Sequence, residues 1–166
     1  MPPGTAAGTA VRNRFAALIA ALQALALTLW VGSMWTVGYL VAPVLFRALP
    51  DPMTAGDIAG RLFWITGYLG LACGGFLLGP VLYRDGLAGW RPRVVLAMFA
   101  INLIGQFGLL PAMQRLKSLA HGRLIAATPL AHRFGLLHGI AGTLFLANSL
   151  LGLLLVTRGL PPRGRG

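Results

Sequence analysis

Four runs of this chain carry no Asp, Glu, Lys or Arg: residues 15–46, 62–83, 94–114 and 134–157. A helix needs about 20 apolar residues to cross a hydrocarbon core of about 30 Å. Each run meets that length, and the charges collect in the gaps between them. The expected fold is all-α: an integral membrane four-helix bundle with antiparallel neighbours. The expected organisation is a disordered tail over residues 1–14, a four-span domain over 15–157 and a disordered basic tail over 158–166.

Composition agrees with this frame. Only 10% of residues are charged, and 57% are hydrophobic, whereas a soluble domain is about a quarter charged. The net charge is +11, from 14 Lys and Arg against Asp51, Asp57 and Asp85. Such a balance can signal nucleic-acid binding. Here the basic residues sit at the ends of the apolar runs, where they meet lipid phosphates. The expected partner is therefore a bilayer with anionic headgroups, and no nucleic acid. The lone Cys73 has no intramolecular disulfide partner and reads as a small packing residue. Arg12 and Arg14 precede an apolar run, as in a signal peptide. That run continues past the roughly 7–15 residues of a signal core, so it reads as a retained helix.

Local signals set the element boundaries. If wholly helical, residues 15–46 would extend roughly 48 Å at 1.5 Å per residue. Tilt or a break must absorb the excess, and Gly32, Gly38 and Pro43 are the candidate break points. Pro50-Asp51-Pro52 marks a turn. Thr54-Ala-Gly-Asp57 resembles a capping box, which starts helix two near Thr54 and leaves Asp57 and Arg61 spaced i,i+4 for pairing. Residues 84–93, with Asp85-Gly86, Gly89 and Pro92, read as a short turn between antiparallel helices. Thr128-Pro129 reads as an N-cap followed by proline at the first helical position.

Eight Lys and Arg flank the face holding both termini and residues 84–93, against six on the other face. This bias puts both termini in the cytoplasm of a multi-pass inner-membrane protein. Arg47, Asp57, Arg61 and Arg133 are expected at the opposite interface. Gly70-x-x-x-Gly74 and Gly135-x-x-x-Gly139 read as packing faces, because small residues let helices approach closely in lipid. A contact between two copies of the chain is the competing use of the same motif.

Polar side chains within the runs are few, and none is Asp, Glu, Lys or Arg. A proton- or ion-coupled carrier normally keeps an intramembrane carboxylate. His138 is the one imidazole inside a run, and chain geometry sets it level with Tyr39, Tyr68 and Gln106. Asn102 and Gln106 form an i,i+4 polar stripe. These five residues make a candidate intramembrane polar site. The other reading is an imidazole satisfied by a Tyr, Gln or carbonyl as bundle glue. Haem with two axial histidines needs a second His at similar depth on a facing helix. His121 and His132 lie outside the run, with Met34 or Met98 left as sixth ligands. A soft-metal set of His121, His132, His138, Met113 and Met53 matches no ligand spacing. No catalytic triad pattern surrounds Ser33, Ser118 or Ser149.

Three motifs occur in order: Leu29-Trp30-Val31-Gly32-Ser33-Met34-Trp35 leading to Ala42-Pro43-Val44-Leu45-Phe46, then Ala59-Gly60-Arg61-Leu62-Phe63, then Arg133-Phe134-Gly135-Leu136-Leu137-His138-Gly139. Together they resemble the domain of unknown function numbered 4149, also called the transmembrane protein 205-like domain. The resemblance covers about residues 15–157 and implies a four-span protein of the bacterial inner membrane, with no reaction attached. The expected function is a non-enzymatic binding, scaffold or passive-transport module without a cofactor. The runner-up is a redox or metal- and haem-handling membrane protein using His138 as ligand.

Overall fold

The computed structural model describes residues 4–120 and 128–159. They form α1 (Gly4–Trp35), α2 (Ala42–Ala48), α3 (Pro52–Asp85), α4 (Trp90–Leu103), α5 (Leu110–Leu119) and α6 (Pro129–Arg158). A π-helical segment, Thr36–Val41, joins α1 to α2, and another, Ile104–Leu109, joins α4 to α5. The result is four continuous helices long and apolar enough to cross a membrane: Gly8–Ala48, Pro52–Asp85, Trp90–Leu119 and Pro129–Arg158. The chain is a multi-pass membrane protein.

The first helix starts at Gly4, so residues 4–14 are helical where the sequence suggested an irregular tail. At the other end α6 runs to Arg158, and the tail from 160 onward lies outside the described residues. Helix α3 opens earlier than Thr54. Asp51 is its N-cap, accepting from the amides of Met53 at 3.1 Å and Thr54 at 2.9 Å. Pro52 then takes a first-turn position that needs no N–H. The Thr128 cap forms as the sequence suggests, its Oγ1 accepting from the Ala131 amide at 3.2 Å. Pro92 lies within the first turn of α4 rather than in the preceding turn. That turn ends α3 at Gly86, whose φ of 61° suits glycine.

The break foreseen in the first run is a widened turn, not a kink at a glycine. Pro43 has no N–H, and its ring crowds the preceding turn. The chain relieves this with π geometry just upstream, where the Ala42 amide bonds to the Val37 carbonyl. Pro111 produces the same arrangement, with the Leu110 amide bonded to the Gly105 carbonyl.

The spans close a ring: α1 packs on α3 and α6, and α4 packs on α3 and α6. Facing residues run in opposite order, as antiparallel neighbours require. From α1 to α6, Gly38 meets Phe145, Met34 meets Asn148 and Val31 meets Gly152. From α4 to α3, Asn102 bonds to Gly67, and Gln106 at the following turn bonds to Trp64. The close-packed core occupies the half of the bundle nearer the chain ends. Trp30, Leu77, Val95, Met98 and Leu155 are fully buried there, and Cys73 is buried with them. Large apolar side chains such as Leu18, Leu22, Leu29, Leu136 and Leu150 point outward, toward where lipid lies.

Candidate functional site

Beyond Trp30 the spans part. A cavity of about 1120 Å³ fills the half of the bundle that holds the two π-helical segments. Small-molecule sites commonly occupy about 300–1,000 Å³, so this space is slightly larger than that range. Both π segments contribute wall: Gly38 and Tyr39 from one, Gly105 and Gln106 from the other. They belong to spans diagonal to each other in the ring. Wide turns of this kind recur at functional sites because they re-aim side chains without breaking the helix.

Four of the five candidate polar residues share this cavity: His138, Gln106, Tyr39 and Asn102. Tyr68 does not line it. Its ring packs against Trp64 and Phe107 on the outside of the bundle. Asn102 and Gln106 are tied down by α3. Asn102 Nδ2 donates to the Gly67 carbonyl and Gln106 Nε2 to the Trp64 carbonyl, both at 3.1 Å. Tyr39 packs against Phe145, their ring centroids 5.4 Å apart.

His138 departs from the expectation of a hydrogen-bonded imidazole. It is exposed at the cavity wall and stacks on Phe134, with centroids 6.2 Å apart and planes 8° apart. No hydrogen bond to it occurs among the described residues.

Charges mark one end of the site. Lys117 Nζ lies 2.7 Å from Asp57 Oδ1 and 5.8 Å from the centroid of the Phe134 ring. This joins α3, α5 and α6 at the mouth. The pairing corrects the expected Asp57–Arg61 bond, because a residue 60 positions away reaches Asp57 first. Arg61 also lines the cavity, and it makes no ion pair or hydrogen bond among the described residues. Arg47 and Arg133 are exposed and lie outside the cavity.

At the inner end stands Asn148, 5% exposed. Among the described residues its amide nitrogen reaches only the thioether of Met34, at 3.4 Å, and its Oδ1 is buried with no partner. Asn148 is not among the five polar residues that the sequence singles out. The signal was its pairing with Met34, which needs the register of α1 against α6.

The glycine motifs divide. A Cβ at Gly70 would strike Trp30 and Asn102, and one at Gly74 would strike Phe99 and Trp30. A Cβ at Gly135 or Gly139 would meet nothing within 4 Å. Gly135 and Gly139 therefore do not pack between spans as expected, because α6 turns that face away from its neighbours. Of the soft-metal set, Met53 and Met113 line the cavity with His138, while His132 lies at a separate shallow site beside Thr128. His121 lies outside the described residues. Among the described residues no group of three or more His, Cys, Asp or Glu comes together.

Residues 25–122 match the family described as Domain of unknown function (DUF4149). No curated protein and no solved structure matches the chain.

Proposed function

From the chain's membership of the DUF4149 family, to which it belongs and which carries no assigned activity, we propose a non-enzymatic binding module of the bacterial inner membrane. In this reading both termini are cytoplasmic, and an apolar-bodied small molecule enters the cavity between the four spans. One observation carries the reading. The cavity wall is mainly aromatic and aliphatic, yet it contains a nine-tenths-buried amide, Asn148, whose carbonyl oxygen has no donor among the described residues. A buried acceptor without a partner costs about 1–3 kcal/mol. A molecule that fills the cavity and presents a donor at that depth removes this cost.

Gly142 provides the test. It lines the cavity, and a Cβ there would meet nothing within 4 Å. Gly142→Leu should narrow the cavity at this level without strain. In membranes, a long-chain alcohol carrying a photoreactive diazirine should label Met34 and Phe145 in the natural protein. It should fail to do so in Gly142→Leu at unchanged thermal stability. Labelling restricted to outward residues such as Leu18 and Leu150 in the natural protein would sink the reading.

The second reading, a soft-metal site, draws support from Met34, Met53, Met113 and His138, which line the cavity from four different spans. Thioether and imidazole suit a soft monovalent metal. Stoichiometric copper in the purified protein, lost in His138→Ala, would favour it over the first.

A further inference from the structure

We propose that the cavity's occupant is an anionic amphiphile taken from the surrounding lipid, its chain between the spans and its acidic head on Arg61. This rests on the binding reading above and names the ligand class. The argument starts from charge. Asp57 lies one turn before Arg61 on α3 and would be its natural partner. Lys117 takes Asp57 instead, at 2.7 Å. Arg61 is left without an ion pair or hydrogen bond among the described residues, on the wall of the cavity.

The charged groups lining the cavity are Asp57, Arg61 and Lys117, so the site carries an excess positive charge before any contribution from His138. A guanidinium presents a fork that matches phosphate and carboxylate in two parallel bonds. Most of the remaining lining is apolar, with Phe63, Phe145 and Trp30 prominent, and a few neutral polar groups such as Asn102, Gln106 and Asn148 stand among them. A small soluble anion would satisfy Arg61 and leave that volume unfilled. An amphiphile with an acidic head satisfies both. From His138, near the charged end, to Asn148 is ten residues along α6, or about 15 Å. That depth accommodates a single acyl chain.

The test uses the full chain in phosphatidylcholine nanodiscs and two probes with the same brominated acyl chain. One is a monoacylglycerol, the other its phosphate. Bromine quenches tryptophan at short range, and Trp30 and Trp64 line the cavity. Native mass spectrometry of the same samples reports retained probe independently of tryptophan. The phosphate should bind about tenfold or more tighter than the neutral probe, as a charge-assisted contact requires. Arg61→Gln, at an exposed position that folding tolerates, should erase most of that ratio and leave the neutral probe's affinity unchanged. Arg47→Gln, outside the cavity, should leave the ratio intact. Equal binding of the two probes to the natural protein would overturn the head assignment and leave the binding reading standing. An equal loss in Arg47→Gln would also overturn it, by showing general surface attraction. Retention of neither probe would overturn both readings.

Discussion

Trp30 shows how a single side chain divides this molecule. Its indole is 1% exposed and lies against Gly70 and Gly74. On one side of it the bundle is closed, and on the other the cavity begins. The two glycines are small because a rigid ring, rather than a second backbone, occupies the space. Gly74→Ala should therefore destabilise by about 1–3 kcal/mol, the usual cost of overpacking a filled core. Gly139→Ala should change stability little, since its added methyl meets nothing within 4 Å. Thermal denaturation in detergent separates the two, and equal shifts would refute the assignment. Asn102 and Gln106 act differently. Each donates an amide to a carbonyl of α3. Replacing either by Leu should cost about 0.6–2 kcal/mol, the range for interhelical hydrogen bonds in membranes. A loss well above that would mean that the side chain also holds something in the cavity.

At the scale of the helices, caps and prolines decide where each element starts and bends. Asp51 caps α3. The Thr54 hydroxyl, then the amides of Thr54 and Met53, hold its carboxyl below the usual value of 3.8. Its folded pKa is depressed, so the cap's contribution is complete above the unfolded value and is lost as pH falls through the lower folded one. Amide exchange at Thr54 should therefore speed up as pH drops below 3.8, beyond the intrinsic pH dependence of exchange. In Asp51→Asn, which keeps an acceptor but cannot titrate, the excess should vanish; an unchanged excess would place its cause elsewhere. The spans and the Thr128 cap were legible in the sequence because hydropathy and capping are local. The π segments were half legible: Pro43 announced a disturbance, but its form depends on where the widened turn relieves the ring. Pro111 raised no flag, since it sits near the end of a run that already looked complete. The Asp57–Lys117 pair was not legible at all, because a local i,i+4 partner is visible in the sequence and a tertiary one is not. The cavity was hidden for the same reason. It is a gap between spans, set by their crossing, and no residue encodes it alone.

The whole molecule is a bundle tight at one end and open at the other. The tight end is also held by charge. Arg91 pairs with Asp85 at 3.3 Å, donates to the Gly159 carbonyl and lies over Trp90, which Arg158 also approaches. These contacts tie the α3–α4 turn to the end of α6, the face that carries the larger share of Lys and Arg. The open end carries the cavity mouth, with Lys117, Asp57 and Arg61. With four spans, the chain ends and residues 86–89 lie on one side of the membrane. We propose from the positive-inside bias that this side is the cytoplasm; in that reading the cavity mouth faces the other way. Reporter fusions after Gly159 and within residues 86–89 should both read cytoplasmic, and one placed between Leu49 and Asp51 should read the opposite. If the first two disagree, the four-span arrangement fails. If they agree but read external, the spans stand and the cavity mouth opens to the cytoplasm. The amphiphile would then come from the inner leaflet, and Arg61 would draw on its anionic lipids.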